Sequence, residues 1–305
     1  MEIEVKENYE IKNLTTFKVG GNVKQIYFPA NQQEFVYLLK TIKNPLILGG
    51  GSNVIFSSQG YDGVVISTIK MSQIFVRGTK IIVECGVKGP FASQTAYNSS
   101  LSGFEFMIGF PGTLGGNIFM NAGAHGQNIS DTFTKACLYD LKTKEVVYFE
   151  KEQMKFGYRT SILQNGRYIL LGAEFDLKKN SQEVIKELMD RNLEFRKNIQ
   201  PSLSIPNAGS VFKNPENDSA GRLLDKAGVK EFEGDNVKVW EKHANFIVNK
   251  GNATSEDVLG LMARMYNAVK EIYTIELKPE IIFIGDKTEK EEELCNILYK
   301  TKTQK

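Results

Sequence analysis

Seven glycines between residues 103 and 126 constrain the fold of this chain more than any other feature of its sequence. Six of them stand in the weakly charged stretch GFPGTLGGNIFMNAGAHG, residues 109–126. Glycine loses more conformational freedom in a helix or strand than any other residue, so this density predicts a loop rather than regular structure. Packing alone would need one or two glycines, whereas a backbone that lies against a large, flat, phosphorylated ligand would need them all. We therefore expect a cofactor-binding loop here.

A second glycine segment, GGGSNV at residues 49–54, follows a short apolar run. Its glycines let backbone N–H groups approach an anion, and the side chains of Ser52 and Asn53 add hydrogen-bond donors. Val54 occupies the position of the third glycine in a dinucleotide-binding fingerprint, and no acidic residue follows about 20 positions later at a strand end. The chain contains no Gly-Lys dipeptide, which excludes a P-loop. The segment is either a ligand-binding loop or a simple tight turn.

Hydrophobic periodicity predicts helices and strands around these two loops. Apolar residues favour helices over 32–43, 91–99 and 181–197, and β-branched runs favour a hairpin over 74–86 and strands over 135–149 and 166–177. The break at Gln200-Pro201, directly after the last of these helices, predicts the main domain boundary.

The chain beyond residue 200 carries clear helix-capping signals. Ser219 and Gly228 fit the N-cap and the C′ position of a short helix. Thr254 and Asp257 resemble a capping box that opens a longer helix. The final stretch TEKEEELCNILYKTKTQK is highly charged, so it forms either a surface helix or a partly disordered tail.

Composition narrows the class of protein. The 305 residues exceed what one hydrophobic core usually serves, so several domains are expected. A net charge of +2, with basic and acidic residues interspersed, predicts no nucleic-acid surface. The three cysteines are far apart, which argues against a disulfide framework or a zinc site. The charged N-terminal segment lacks a signal peptide and no run reaches the ~20 apolar residues of a membrane span, so we expect a cytoplasmic protein, and a monomer.

Five motifs in order carry a resemblance to a known family: LGGGSN (48–53), GFPGTLGGNIFMNAGAHG (109–126), FGYRTSI (156–162), NAGSVFKNP (207–215) and LKPEIIFIG (277–285). Together they resemble the bacterial UDP-N-acetylenolpyruvoylglucosamine reductase family from about residue 13 to residue 285. The short stretch between Arg159 and Phe175 resembles the type II subclass, which lacks an inserted substrate loop. The resemblance implies an α+β fold, with a two-subdomain FAD-binding module of the vanillyl-alcohol-oxidase (PCMH) type followed by a smaller α/β substrate domain. We divide the chain accordingly into 1–67, 68–199, 200–286 and a charged tail, 287–305.

The same resemblance implies a two-stage reaction. NADPH reduces FAD, and UDP-N-acetylglucosamine enolpyruvate is then reduced to UDP-N-acetylmuramate. No histidine or cysteine stands at an evident flavin-attachment position, so we expect FAD to be bound non-covalently. The predicted FAD ligands lie in the two glycine loops: Gly49, Gly50, Gly51, Ser52, Asn53, Pro111, Gly112, Thr113, Gly115, Gly116, Asn121, Gly123 and Ala124. The predicted substrate ligands are Tyr158, Lys213 and Asn214.

Three residues are predicted to carry the chemistry. Hydride addition to an enol ether conjugated to a carboxylate leaves negative charge to be stabilised and a carbon to be protonated. Arg159 suits the charge, since a guanidinium stays cationic and binds carboxylates bidentately. In the family the residue matching Glu280 helps to stabilise the enolic intermediate, and Ser210, with Lys213 nearby in sequence, is expected to donate the proton. Taken without the motifs, Arg159 reads as a salt bridge, Ser210 as a turn residue and Glu280 as a solvated carboxylate before a buried strand, IIFI.

Two other functions stay open at this point. Another FAD-dependent oxidoreductase of the same superfamily would share the glycine loops but would not need these three residues together. A flavin- or nucleotide-binding module without activity is the second alternative. His125 either contacts flavin phosphate or is a plain loop residue, and His243 is expected to be structural. No histidine pair or acidic cluster predicts a metal site.

Overall fold

The structure is a computed structural model that describes residues 2–299. Its strands are β1 Glu4–Glu10, β2 Asn22–Phe28, β3 Leu46–Leu48, β4 Val54–Phe56, β5 Tyr61–Ser67, β6 Ile74–Arg77, β7 Lys80–Glu84, β8 Leu101–Ser102, β9 Gly123–Ala124, β10 Gln127–Asn128, β11 Phe133–Asp140, β12 Glu145–Glu150, β13 Tyr168–Asp176, β14 Lys178–Lys179, β15 Val237–Trp240, β16 His243–Asn249 and β17 Ile282–Ile284. Its α-helices are α1 Gln32–Thr41, α2 Gly89–Asn98, α3 Leu114–Phe119, α4 Gln182–Ile199, α5 Ala220–Lys226, α6 Ser255–Tyr273 and α7 Glu289–Leu298. Within residues 2–299, no helix has the length and apolarity that a bilayer span requires.

The chain forms two compact units, each assembled from separated segments. Unit 1 comprises residues 1–6, 25–50 and 64–196, and unit 2 comprises residues 7–24, 51–63 and 197–305. Each unit has its own cluster of buried apolar side chains. The mixture of helices and sheets agrees with the predicted α+β class, while the four-part division of the chain stays a prediction.

Unit 1 is built around a five-stranded antiparallel sheet in the order β12-β11-β13-β7-β6. The β6–β7 hairpin turns at Gly78-Thr79, as the sequence predicts. The central strand β13 pairs with β11 on one side and β7 on the other, so that Ala173 stands opposite both Ala136 and Val83. Those three side chains are buried, because the core cluster of the unit covers this face of the sheet.

Helix α1 begins at residue 32 as the sequence predicts, and α2 begins at Gly89, two residues before the predicted start. The Asn31 side chain caps α1 by accepting a hydrogen bond from the Glu34 amide, while Phe35, Leu38 and Leu39 turn one apolar face into the core. In the same unit β3 pairs in parallel with β5, with Leu46 opposite Val65. The helices predicted over 32–43, 91–99 and 181–197 and the strands predicted over 135–149 and 166–177 are confirmed.

Unit 2 combines the β15–β16 antiparallel hairpin with helices α5, α6 and α7. Ser219 caps α5 and Gly228 follows it with a positive φ of 74°, as predicted. The capping box between Thr254 and Asp257 opens α6, which is also confirmed. Residues 289–298 of the charged tail form the surface helix α7, whose Leu294, Cys295 and Leu298 belong to the buried cluster of the unit, and residues 300–305 lie outside the described part of the chain.

Two local predictions are wrong. The glycine-rich stretch contains the six-residue helix α3, because Leu114 and Ile118 are fully buried and Gly115 lets the helix approach the Cys85 carbonyl. A Cβ on Gly115 would lie 2.8 Å from that oxygen. The IIFI strand is not buried throughout, since β17 pairs with β4 alone in a two-stranded sheet and Ile282 is 38% exposed.

Candidate functional site

The two glycine loops meet within unit 1. A Cβ on Gly50 would lie 2.4 Å from the Gly112 Cα, and a Cβ on Gly49 would lie 2.6 Å from the Thr113 hydroxyl oxygen. Real Cβ atoms do not approach backbone that closely, so the contact at Gly50 requires glycine. Gly112 also has a φ of +91°, a conformation that favours glycine. The predicted FAD ligands of residues 49–50 and 112–113 are therefore brought together by backbone-to-backbone packing.

This part of unit 1 fits a bound flavin nucleotide. The Thr113 hydroxyl and the Asn117 amide nitrogen are buried, and the described part of the chain offers neither of them a hydrogen-bond partner. Buried polar atoms are almost always paired, so these two suit the polar groups of a bound ligand. A Cβ on Gly116 would meet no atom within 4 Å, which leaves open space next to them. The sequence does not single out Asn117, because nothing in its neighbours distinguishes it from a packing residue.

Further along the second loop, residues 121–124 connect to the turn that carries Arg159. Asn121 donates from its Nδ2 to the Gly157 carbonyl (3.0 Å) and accepts from the Ser130 amide (3.1 Å). A Cβ on Gly123 would lie 2.1 Å from the Asn128 side-chain oxygen. Asn121 and Gly123 thus shape the loop through internal contacts.

Arg159 lies at the tip of a tight turn in unit 1. Gly157 and Thr160 exchange two backbone hydrogen bonds of 3.1 and 3.3 Å across it, and Arg159 adopts a φ of +54°. The guanidinium stands 5.1 Å from the centre of the Tyr158 ring, and its Nη2 contacts the Gly123 carbonyl at 3.5 Å. Gln164 donates to the Arg159 carbonyl at 3.0 Å. This turn presents a cation and a half-exposed phenol ring side by side.

Ser210 lies in unit 2, in a segment held by isolated bridges rather than by a continuous strand ladder. Ser210 bridges to Phe246 of β16, and Phe212 bridges to Pro279 on the other side. The Glu280 amide donates to the Val211 carbonyl at 2.8 Å. The structure therefore brings two of the three predicted catalytic residues, Ser210 and Glu280, onto neighbouring hydrogen-bonded segments.

Asn53 holds the backbone of Glu280 in the same unit. Its Nδ2 donates to the Glu280 backbone carbonyl at 3.0 Å, and the Asn53 backbone carbonyl accepts from the Ile282 amide at 3.0 Å. Gly51, two residues earlier, has a φ of +60°, and a Cβ there would lie 2.1 Å from the Leu14 carbonyl. Residues 51–53, predicted as FAD ligands, thus also shape the surroundings of Glu280.

The two predicted diphosphate ligands follow Ser210 directly. The Lys213 amide donates to the Lys278 carbonyl at 2.8 Å, which fixes the backbone at that point. The Asn214 Oδ1 accepts from the Ala220 amide at 3.0 Å, so this side chain ties the segment to the first turn of α5.

Both histidines have local structural contacts. His125 has a φ of +54° and meets the Phe195 ring edge to face at 5.3 Å, and burial, with Arg191 and Arg196 nearby, lowers its pKa. The Nδ1 of His243 accepts a hydrogen bond from the Asn245 amide at 3.2 Å, and burial likewise lowers its pKa. Across residues 2–299, no group of histidine, cysteine or acidic side chains has the arrangement of a metal site.

Asn245 is a residue that the motifs of the sequence do not identify. It is 3% exposed and both atoms of its carboxamide bond to Phe212, two residues after Ser210. The available signal was an asparagine directly before the apolar run FIV of β16, HANFIVN, where a buried amide must find partners.

Two parts of the chain match known protein families, and the chain as a whole is similar to known proteins. Residues 23–141 match the FAD binding domain family, and residues 200–284 match the C-terminal domain of UDP-N-acetylenolpyruvoylglucosamine reductase. The chain is 39% identical to the UDP-N-acetylenolpyruvoylglucosamine reductase of Caldanaerobacter subterraneus subsp. tengcongensis over 284 residues, 92% of this chain and 93% of that protein. It is also 39% identical to the enzyme of the same name from Caldicellulosiruptor bescii, over 93% of this chain and 92% of that one. The crystal structure of the Thermus caldophilus reductase superposes with a TM-score of 0.80 at 30% identity, covering 93% of this chain and all of that one.

Proposed function

The chain belongs to the UDP-N-acetylenolpyruvoylglucosamine reductase family, and we propose that Arg159, Ser210 and Glu280 are the residues with which it carries out that family's reaction. It is an FAD-dependent oxidoreductase that uses NADPH to reduce UDP-N-acetylglucosamine enolpyruvate to UDP-N-acetylmuramate, a precursor of peptidoglycan. The observation that carries this function is the 39% identity to a reductase over nearly the full length of both chains.

FAD binds, in this proposal, to the two glycine loops without a covalent bond. Gly49 and Gly50 let the first loop pack against Gly112 and Thr113 of the second, Gly116 leaves open space, and Thr113 supplies a buried hydroxyl for the ligand. When bound, FAD supplies the hydride that is added to the enolpyruvyl double bond. The remaining predicted ligands, Gly51, Ser52, Asn53, Pro111, Gly115, Asn121, Gly123 and Ala124, complete the loops or support their shape.

Arg159 binds the substrate carboxylate and stabilises the negative charge that develops on it. A guanidinium presents two parallel N–H donors to a carboxylate and stays protonated. Its turn is held by the Gly157–Thr160 backbone pair and by Gln164, so the cation is positioned before the substrate arrives. Losing one such preorganised donor typically costs about 2.7–4 kcal/mol of transition-state stabilisation.

Ser210 donates the proton that completes the reduction. A serine hydroxyl is a very weak acid, but the carbanion-like carbon that receives the proton is a strong base, so no separate base has to activate it. Glu280 belongs to the neighbouring segment and stabilises the enolic form of the substrate. A protonated carboxyl group can do so by donating a hydrogen bond.

Tyr158, Lys213 and Asn214 bind the rest of the substrate. Lys213 supplies a positive charge for the diphosphate. Asn214 is held at the first turn of α5, where its Oδ1 accepts from the Ala220 amide, and its carboxamide carries donors of the kind that bind phosphate oxygens. Tyr158 is 56% exposed beside the Arg159 guanidinium, which suits a residue that packs against a ligand.

The proposal extends to the setting of the enzyme. NADPH and the UDP-linked sugar are cytoplasmic metabolites, so we place the reaction in the cytoplasm. We propose that the chain acts as a monomer that binds neither nucleic acid nor a membrane, in keeping with its small net charge of +2. Residues 1–67 and 68–199 would form the two parts of the FAD-binding module, and 200–286 the substrate domain.

A turnover assay with the purified protein tests the function. NADPH oxidation should depend on added UDP-N-acetylglucosamine enolpyruvate, and the product should be heavier than the substrate by two hydrogens. Turnover of simple alcohols without any effect of the sugar nucleotide would instead indicate another flavin-dependent oxidoreductase. A protein that binds flavin but turns over neither substrate would be a binding module.

A further inference from the structure

The Asn245 side chain pairs with the backbone of Phe212 as if it were a neighbouring strand. Its Nδ2 donates to the Phe212 carbonyl at 2.8 Å, and its Oδ1 accepts from the Phe212 amide at 2.9 Å. The Asn245 backbone carbonyl accepts from the adjacent Val211 amide at 2.9 Å. One buried residue therefore makes three hydrogen bonds to two consecutive residues that follow Ser210.

These hydrogen bonds take the place of the regular strand pairing that residues 210–212 lack. The Ser210–Phe246 and Phe212–Pro279 bridges are isolated, and Gly209, just before Ser210, has a φ of +75°. Phe212 is 1% exposed, so its amide and carbonyl cannot turn to water. A buried peptide group without a partner costs about 1–3 kcal/mol, so the carboxamide sets the orientation of this stretch of backbone.

We propose that Asn245 is a positioning residue for Ser210 in the reduction of the enolpyruvyl sugar. The inference rests on the proposed role of Ser210 as proton donor. Proton donation requires the hydroxyl within hydrogen-bond reach of one carbon, and a misplacement of about 1 Å can slow such a step about 100-fold. Glu280 is also coupled to this segment, because its amide donates to the Val211 carbonyl, but Asn53 holds its own carbonyl as well. A test that removes Ser210 therefore separates a route through Ser210 from one through Glu280.

A double-mutant cycle tests this route. Asn245→Ala in the wild-type background should slow reduction of the enolpyruvyl sugar by prereduced enzyme about 100-fold. In the Ser210→Ala background the same change should slow it by about twofold or less, since the group that Asn245 positions is already gone. Reduction of the bound flavin by NADPH should keep its wild-type rate in every variant.

Asn249 provides a matched control on the same strand. It is also buried, but its side chain bonds to other parts of the unit: it donates to the Phe17 carbonyl at 3.0 Å and accepts from the Gly251 amide at 2.7 Å. Asn249→Ala should lower stability without slowing the sugar-dependent step more than about twofold. Hydrogen exchange adds a readout independent of turnover: the Phe212 amide should exchange faster in Asn245→Ala and not in Asn249→Ala.

The possible outcomes distinguish the proposed function from the positioning role. A wild-type protein that does not reduce the enolpyruvyl sugar overturns the proposed function itself. An active wild type in which Asn245→Ala slows the step equally with and without Ser210 overturns the positioning role alone, as does unchanged exchange at Phe212. Should the alanine variant not fold, Asn245→Ser in the same cycle distinguishes the same outcomes, because a serine cannot bond both atoms of the Phe212 peptide.

Discussion

At the scale of single residues, backbone hydrogen bonds position the segments that carry the candidate catalytic groups. Arg159 occupies the left-handed region at the tip of a turn closed by Gly157 and Thr160. Ser210 follows a glycine in the same region, and the backbone of Glu280 is bonded to both Val211 and Asn53. Backbone anchoring fixes where these side chains start, which suits preorganised catalysis.

Replacing Arg159 by lysine should remove most of the turnover although the charge is kept. One ammonium cannot reproduce the two parallel donors of a guanidinium, so we expect a loss of about 100- to 1,000-fold in kcat. Arg264→Lys is the matched control, because Arg264 also contacts a carbonyl and stacks on a ring, that of Phe232. Steady-state kinetics that place Arg159→Lys within a few-fold of wild type would make Arg159 a structural residue.

Replacing Ser210 by alanine should affect only the second half of the reaction. Flavin reduction by NADPH needs no proton from this hydroxyl and should keep its rate in stopped-flow measurements. Reduction of the enolpyruvyl sugar should slow by about 10²–10⁴-fold, the usual contribution of a general acid. Ser210→Cys should recover part of that rate, since a thiol is a stronger acid of similar reach. A defect in flavin reduction, or normal rates in both halves, would contradict the assignment.

At the scale of secondary-structure elements, α7 shows how a charged tail becomes part of a core. Glu291 is fully buried and accepts hydrogen bonds from the hydroxyls of Ser57 and Ser255 and from the Thr288 amide. These contacts bond the helix to residues far away in sequence. Several hydrogen-bond donors stabilise a buried carboxylate, whereas burial of a carboxylate without partners costs a large free energy.

Glu291→Ala should therefore lower the free energy of unfolding by about 3 kcal/mol. The variant loses hydrogen bonds to a buried charged group and leaves the hydroxyls that donated to it unpaired. Urea unfolding of the wild type and the variant measures the loss. Glu292→Ala changes the next residue of the same helix, which is exposed, and should alter stability by no more than about 0.5 kcal/mol. Equal effects of the two substitutions would show that the hydroxyl contacts do not hold α7.

Elements with local signals were predictable from the sequence, and elements that depend on distant partners were not. The Thr254–Asp257 capping box and the apolar face of α1 are set by residues within a few positions of each other. Helix α3 escaped prediction because burial of Leu114 and close approach to Cys85 outweigh its glycines. At the candidate site the motifs identified Ser210, but its support by Asn245 depends on a contact across 33 residues that periodicity does not reveal.

At the scale of the complete chain, each of the two units has its own buried apolar core, and the stability of the protein depends on both cores. Unit 1 contains a fixed charge pair: the Arg167 side chain donates to the Asp140 carboxylate through Nε at 3.0 Å and Nη2 at 2.6 Å. Asp140 is buried at the end of β11, and the hydrogen bonds from Arg167, with those from neighbouring amides, lower its pKa to about 2.

Because the pKa of Asp140 is lowered, part of the free energy of unfolding changes with pH in the acid range. A carboxyl whose pKa is lower in the folded state contributes stability that is present above its unfolded pKa, about 4, and is lost as the pH falls through the folded value. The difference in unfolding free energy between wild type and Asp140→Asn should therefore narrow between about pH 4 and pH 2. Urea titrations across this range measure it, and a difference that stays constant would contradict the assigned cause.

The flavin should stay bound to the folded protein and be released when the protein unfolds. Because no histidine or cysteine stands at an evident flavin-attachment position, acid or heat denaturation should release all the flavin into the supernatant. Visible absorbance of the supernatant and of the precipitated chain measures the partition. Colour that stays with the precipitate would reveal a covalent bond, and a colourless native protein that takes up no FAD would remove the cofactor assignment.

The interleaved segments of the two units set an order of events on the ribosome. Every segment of unit 1 has been made once residue 196 is joined, whereas unit 2 draws on residues 7–24 and 51–63 as well as on 197–305. After residue 63, those two early segments must wait until their partners are made while about 240 further residues are added, roughly 12–48 s at ordinary elongation rates. During that interval Phe17, Val19 and Ile55, all buried in the finished core, are exposed in the nascent chain. We therefore expect the early segments of unit 2 to need protection by chaperones during synthesis.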